Sequence, residues 1–116
     1  MAKRYVPDVG HIVWLDFTPQ SGHEQAGRRP AVVLSPASYN YKTGLMVCCP
    51  MTTQVKNYPF EVRITGTGRS AVLADQVKSL DWSSRKAARK GSISLAELTE
   101  VRAKILALIG ASASLQ

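Results

Sequence analysis

The chain alternates between short apolar segments and polar links that contain glycine or proline, a pattern typical of an all-β protein. The apolar segments predict strands over residues 10–17, 31–35, 45–53 and 59–64, with one or two further strands over residues 71–82. Residues 10–17, GHIVWLDF, are apolar at nearly every position, which indicates a strand buried on both faces. One helical turn is expected in residues 36–44, where Gly44 would end it.

The last part of the chain has helical spacing instead. Ser94 and Glu97 stand in the positions of a capping box. Apolar residues then recur every three or four positions, at Leu95, Leu98, Val101, Ile105 and Leu108. Gly110 is a natural stop, and residues 111–116 are predicted to be a disordered tail. We therefore predict a single domain over residues 1–110, mainly β, in which a C-terminal helix packs on a small, strongly bent sheet or partly open barrel.

The long polar link over residues 18–30, TPQSGHEQAGRRP, exceeds what a hairpin needs and is expected to be functional. At its end Arg28 and Arg29 directly precede a strand, where Pro30 fixes φ and β-branched residues stiffen the backbone. Such a junction can aim an arginine accurately. An isolated pair of arginines in a loop is nevertheless more often only solvated.

The net charge of +7 over 116 residues attracts polyanions, so nucleic acid is the first partner class to consider, although charge alone does not identify it. Cys48 and Cys49 are adjacent, which makes a disulfide between them geometrically poor and predicts two small buried residues on opposite strand faces. The chain contains neither the apolar region of a signal peptide nor an apolar stretch of membrane-spanning length. We predict a cytoplasmic protein without a membrane segment.

The polar residues at the predicted strand ends supply the candidate chemistry: Glu24, Arg29, Thr52, Thr53, Asp75 and Gln76. No metal or cofactor is predicted, because the two histidines and the adjacent cysteines lack metal-ligand spacing. If the barrel brings the strand ends together, they form a metal-free anion site in which Arg29 contacts a phosphate and a threonine hydroxyl adds a hydrogen bond. Basic residues could extend the contact to a nucleic-acid backbone: Lys56, Lys78, Arg85, Lys86, Arg89 and Lys90. The last four are more typical of a solvated helix or turn face.

Three segments together resemble the MazF/PemK family of toxin endoribonucleases: RYVPDVGHIVWLDFTPQSGHEQAGRRPAVVLSP, CPMTTQVKNYPFEV and LADQVKSLDW. The similarity runs from about Arg4 to Gly110. It implies a homodimeric, SH3-like barrel that cuts single-stranded mRNA without metal, with ACA as the expected cleavage site. It also implies a MazE-type antitoxin whose acidic tail covers the basic groove. Cleavage would proceed by attack of the ribose 2′-OH, leaving a 2′,3′-cyclic phosphate and a 5′-OH.

The resemblance places the central catalytic pair on Arg29 and Thr52 and an auxiliary residue on Glu24. An arginine side chain is effectively never deprotonated, so we assign Arg29 to charge stabilisation. Glu24, His23 and Asp75 all remain possible bases, and we favour Glu24; His11 is expected to be structural. The residues expected to contact RNA are Asp16, Phe17, Gln25, Arg28, Thr53, Lys56, Asp75, Gln76 and Lys78. The loop over residues 18–30 is expected to act as a lid.

Two alternatives stay open. A gyrase-poisoning toxin of the same barrel fold would be a protein-binding module, but such toxins use an aromatic C-terminal end that ASASLQ does not resemble, and they lack the arginine and threonine pair. A basic nucleic-acid-binding barrel without chemistry would bind RNA and leave it intact.

Overall fold

The computed structural model describes residues 4–17, 27–66 and 68–110. Within these ranges the elements are β1 (His11–Phe17), β2 (Gly27–Val33), α1 (Ala37–Thr43), β3 (Leu45–Thr52), β4 (Glu61–Ile64), β5 (Ser70–Leu73), β6 (Lys78–Asp81), β7 (Ala88–Ser92) and α2 (Leu95–Ile109). The strands form one curled, half-barrel sheet, and a C-terminal helix completes the fold. The prediction of a mainly β, strongly bent sheet with a C-terminal helix is confirmed.

The central strand of this antiparallel sheet is β3. One of its edges pairs with β2, and its other edge is divided between two strands. Leu45–Cys48 pair with β6, whereas Met51 and Thr52 pair with β5. Because β5 and β6 share this edge, the connection between them (residues 74–77) lies beside β3 near its end. The site described below depends on this placement.

The core lies on both faces of β1, β2 and β3. On β1, Ile12 belongs to a cluster that includes Leu98 and Val101 of α2, whereas Val13 and Leu15 belong to a second cluster around Trp82. The prediction that β1 is buried on both faces is confirmed. A strand that contacts two cores has no polar face, which explains the continuous apolar sequence.

The two cysteines of β3 likewise lie in different core clusters, one on each face of the sheet. Cys48 lies in the Trp82 cluster and Cys49 in the cluster under α2, and both thiols are free. Burial raises the pKa of each thiol to about 12. The prediction of two small buried residues on opposite strand faces is confirmed.

The C-terminal helix begins as the sequence predicts. The Ser94 hydroxyl accepts a hydrogen bond from the Glu97 N–H at 3.1 Å, and the Glu97 carboxylate accepts one from the Ser94 N–H at 2.8 Å. The same carboxylate accepts a hydrogen bond from the Thr65 N–H at 2.8 Å, which ties the helix to the end of β4. Gly110, with φ 80°, ends the helix.

The predicted boundary between the long loop and the second strand was wrong. β2 begins at Gly27, inside the predicted loop, because residues 27–30 pair with residues 14–17 of β1. In the described part of the sheet these four residues have no strand on their other edge, which is where a sheet tolerates a proline such as Pro30. Asp75 and Gln76 lie in the connection between β5 and β6, not in a strand.

The strand β7 was not predicted. It pairs with β1 from His11 to Trp14 and ends the sheet path on that side. Arg89 and Lys90 therefore belong to an exposed edge strand, and Arg85 and Lys86 to the turn before it. Edge strands often carry charged residues, so β7 lacks the apolar alternation that marks the other strands. No helix in the described ranges is long and apolar enough to cross a bilayer.

Candidate active site

A cavity of about 460 Å³ opens where the start of β2, the end of β3 and the β5–β6 connection meet. Six of the residues singled out from the sequence line it: Phe17, Arg29, Thr52, Thr53, Gln76 and Lys78. Gln54 and Ser70 are polar lining residues that the sequence analysis missed. The curl of the sheet thus brings the ends of segments that are far apart in the sequence into one concave surface.

Arg29 lies on β2 opposite Leu15 of β1 and is half-buried. Its Nε is buried and has no hydrogen-bond partner among the described residues, and no described carboxylate lies within ion-pair distance of its guanidinium. A buried donor without a partner is costly, whereas an anion in the cavity would satisfy it with a charge-assisted hydrogen bond. The geometry therefore suits Arg29 to binding a phosphate.

Thr52 is the last residue of β3 and pairs with Ala71 of β5. Its hydroxyl oxygen accepts a hydrogen bond from the backbone N–H of Gln54 at 3.0 Å. Because a hydroxyl has one proton to donate, this arrangement fixes the oxygen and leaves the O–H able to donate to a group in the cavity. Thr52 and Arg29 thus present two hydrogen-bond donors to the same cavity.

Arg28 has a different environment from its neighbour. It forms an ion pair with Asp16 at 2.6 Å and donates to the backbone oxygen of Lys86 at 2.8 Å. Adjacent residues of a strand point to opposite faces, so only one of the two arginines can face the cavity. Arg28 and Asp16, both expected to contact RNA, are paired with each other outside the cavity lining, and their contact with RNA stays a prediction.

Phe17 ends β1 and lines the cavity, and the Arg85 guanidinium lies over its ring. The Arg85 guanidinium lies 5.8 Å from the centre of the Phe17 ring and donates to the Asp16 backbone oxygen at 3.2 Å. Cation–π contact of this kind orients the ring. Arg85, Asp16 and Asp81 also line a second, polar cavity of about 350 Å³.

Two other predicted residues lie outside the cavity lining. The Asp75 carboxylate accepts a hydrogen bond from the Tyr58 hydroxyl, and its Oδ1 is buried with no partner among the described residues. Lys56 is exposed in the loop after β3, where its backbone N–H donates to Glu61. Glu24, Gln25 and His23, with the greater part of the expected lid, fall outside the described residues.

His11, which was expected to be structural, lies in β1 and does not line the cavity. Its Nδ1 accepts hydrogen bonds from the Tyr5 hydroxyl at 2.7 Å and from the Asp8 N–H at 3.2 Å. Burial, followed by the positive charge of Arg89, lowers the pKa of the imidazole. Across residues 4–17, 27–66 and 68–110 no three His, Cys, Asp or Glu side chains are grouped closely enough to bind a metal ion.

The chain is similar to known proteins over most of its length. Residues 8–109 match the family model described as the PemK-like, MazF-like toxin of type II toxin–antitoxin systems. The endoribonuclease toxin MazF of Escherichia coli strain K12 is 57% identical over 111 residues, which cover 95% of this chain and 100% of that protein. The endoribonuclease toxin ChpB of the same strain is 37% identical over 99 residues, 78% of this chain and 84% of that protein.

The fold agrees as well. MazF in a crystal structure of MazE–MazF (Form-II) from Deinococcus radiodurans superimposes with a TM-score of 0.87 and 55% identity, over 94% of this chain and 100% of that one. The matched family model spans most of the chain, and the similar relatives are named endoribonucleases. The chain therefore belongs to the PemK-like, MazF-like family of type II toxins, and this membership supports endoribonuclease activity.

Proposed function

We propose that the protein is the toxin of a type II toxin–antitoxin system that cleaves single-stranded mRNA, with ACA as the preferred site, and so inhibits translation and growth. The observation that carries the proposal is the cavity into which Arg29 and Thr52 both project while the Arg29 Nε has no partner among the described residues. The net charge of +7 favours the approach of RNA. We place the activity in the cytoplasm, where mRNA occurs and where free thiols such as Cys48 and Cys49 are common.

In the proposed reaction the ribose 2′-oxygen attacks the adjacent phosphorus. A new bond forms between the 2′-oxygen and phosphorus, the bond from phosphorus to the 5′-oxygen breaks, and the products are a 2′,3′-cyclic phosphate and a 5′-OH. The proton of the 2′-OH passes to a base, and the leaving 5′-oxygen takes a proton from solvent water. Extra negative charge develops on the non-bridging oxygens in the transition state. Arg29 stabilises that charge, and the Thr52 hydroxyl donates a hydrogen bond to the same group.

The base in this proposal is Glu24. Asp75 is less suited to the role, because Tyr58 already donates to its carboxylate and Asp75 does not line the cavity. Phe17 and Gln76 line the cavity at positions suited to stacking on a base and to hydrogen bonding with its edge. Lys78 is exposed at the start of β6 and adds a positive charge for a neighbouring phosphate.

The test uses two single-stranded oligonucleotides that contain ACA, one of RNA and one with a single 2′-deoxy residue at the cut position, both in the presence of a chelator. We expect cleavage of the first with a cyclic phosphate end and no cleavage of the second, because the nucleophile is the 2′-OH. Strong inhibition by the chelator would contradict the metal-free mechanism. RNA that is bound but left intact, with a long natural mRNA also uncut, would favour the non-catalytic barrel.

We further propose that the protein forms a homodimer and binds an antitoxin of the MazE type. The acidic tail of the antitoxin would occupy the cavity. MazE–MazF complexes among the structural neighbours support the antitoxin. Leu95, Leu106 and Ile109 are exposed and fall on one side of α2 by helical periodicity, with Thr99 and Arg102 between them, a partly apolar face suited to a second chain. The cavity is lined by Arg29 and Lys78, which suits an acidic segment that competes with RNA.

Light scattering of the purified protein is expected to give a particle of two 12.6 kDa chains. A synthetic peptide rich in aspartate and glutamate should inhibit its RNA cleavage, and excess RNA should restore activity, because both ligands need the same cations. A peptide with asparagine and glutamine in place of the acids is the control. Inhibition that saturating RNA does not relieve would mean that the peptide binds away from the cavity.

A further inference from the structure

A buried carboxylate organises the loop that follows Thr52. Glu61, the first residue of β4, is buried, and its side chain turns back to the β3–β4 loop (residues 53–60). It accepts hydrogen bonds from the backbone N–H of Lys56, at 3.0 Å to each oxygen, and from that of Asn57 at 2.7 Å. Charge-assisted hydrogen bonds of this kind are stronger than neutral ones. One side chain therefore fixes the backbone in the middle of the loop.

Other contacts close the same loop. The Glu61 N–H donates to the Tyr58 backbone oxygen at 3.0 Å. Asn57 adopts φ 61°, a conformation that asparagine tolerates better than most residues, and its side-chain oxygen accepts a hydrogen bond from Arg63 at 3.0 Å. From α2, Lys104 donates to the Pro59 backbone oxygen at 2.5 Å. The loop is held on several sides.

A side-chain hydrogen bond then joins this loop to the β5–β6 connection. The Tyr58 hydroxyl donates to the Asp75 carboxylate, and the Ala74 N–H donates to the Phe60 backbone oxygen at 2.9 Å. The hydrogen bond to Asp75, and then burial, raise the pKa of Tyr58, so its hydroxyl remains a donor at neutral pH. Thr53 and Gln54 begin the loop, and Gln76 follows Asp75 directly. These three residues belong to two walls of the cavity.

We propose that Glu61 and Tyr58 are positioning residues that lock the β3–β4 loop against the β5–β6 connection and so preorganise two walls of the RNA-binding cavity. Neither residue lines the cavity, so neither contacts the substrate there. A preorganised cavity loses less freedom when RNA binds, and the benefit is the same for substrate and transition state. The network therefore acts on KM and leaves the chemical step to Arg29 and Thr52. This inference rests on the proposed function.

The first experiment is Tyr58→Phe, which removes only the hydroxyl that reaches Asp75. Steady-state cleavage of the ACA-containing RNA oligonucleotide should show a KM that rises roughly three- to tenfold, with kcat changed less than twofold. Tyr41→Phe is the matched control, because Tyr41 is 73% exposed on α1 and makes none of the hydrogen bonds of this network, so the KM of this variant should equal that of the wild type. An unaltered KM in Tyr58→Phe, or a fall in kcat without a rise in KM, would overturn the inference.

The second experiment is Glu61→Gln, with Glu100→Gln on the exposed side of α2 as its control. The hydrogen bond from the Lys56 N–H lowers the pKa of Glu61. Burial opposes this effect, and hydrogen bonds from Asn57 and Tyr58 add to it, so the Glu61 carboxylate is ionised at neutral pH. The neutral amide should raise KM at least as much as Tyr58→Phe does, at a temperature well below the unfolding midpoint of the variant. A purely structural role would lower that midpoint and leave KM unchanged.

If the wild type cleaves no RNA, the proposed function itself fails. If the wild type cleaves normally and the Tyr58→Phe variant is unaffected, only the positioning role is rejected.

Discussion

Replacing Arg29 with alanine is expected to lower kcat/KM for RNA cleavage by roughly 10²- to 10³-fold, the usual cost of removing one donor that stabilises transition-state charge. The loss should fall mainly on kcat, because the charge that Arg29 meets is greatest in the transition state. Removal of a guanidinium whose Nε has no partner among the described residues breaks no hydrogen bond described for the fold. The thermal unfolding midpoint is therefore expected to change little.

The neighbouring arginine provides the matched control. Arg28→Ala removes the same charge one residue away, yet it breaks the ion pair with Asp16 and the hydrogen bond to the Lys86 backbone oxygen. It should lower the unfolding midpoint more than Arg29→Ala does, and lower the rate far less. Equal losses of rate in the two variants would mean that both arginines act through general attraction of RNA, and the assignment of Arg29 would fail.

Thr52→Ala is expected to reduce kcat by roughly 10²-fold with the fold retained. The hydroxyl is the only hydrogen-bonding group that this change removes, and Thr52 is only partly buried at the end of β3. The variant also leaves the Gln54 N–H without its acceptor, at a cost of about 1 kcal/mol in the free energy of unfolding. Single-turnover cleavage of the ACA-containing RNA oligonucleotide measures the chemical step directly.

Thr52→Ser separates the two effects of this change. Serine keeps the hydroxyl and its hydrogen bond from Gln54, so most of the rate should return. If serine fails to restore the rate, the methyl group and the packing of Thr52 matter more than its hydroxyl. An alanine variant that unfolds would identify Thr52 as a structural residue instead of a catalytic one.

The sequence predicted the features that depend on local patterns. The capping box at Ser94 and Glu97 defines the start of α2 without tertiary information. The continuous apolar run of β1 is explained by the two clusters on its faces. β7 was missed because an exposed edge strand of arginine, lysine and glycine has no apolar period to detect. Its position is set by pairing with β1, which is a tertiary property.

The candidate site was also predicted only in part, because some of its residues act through tertiary contacts that a sequence pattern does not show. The motif resemblance pointed to Arg29 and Thr52, and the structure places both at one cavity. The different environments of Arg28 and Arg29 follow from strand register, since Arg28 lies opposite Asp16. Glu61 and Tyr58 were not singled out, because one acts on backbone N–H groups and the other on a residue 17 positions away. The signal available for Glu61 was a carboxylate between the apolar residues Phe60 and Val62 at the start of a short strand segment.

Cys48 and Cys49 are both buried, on opposite faces of β3, and this has a practical consequence for fluorescence labelling. Thiolates, not thiols, react with maleimides, and a pKa of about 12 leaves almost no thiolate in either residue at neutral pH. A cysteine introduced at the exposed position of Tyr41 would therefore take up a dye alone, with both native cysteines left in the core. Single-site labelling therefore does not require replacement of the two native cysteines.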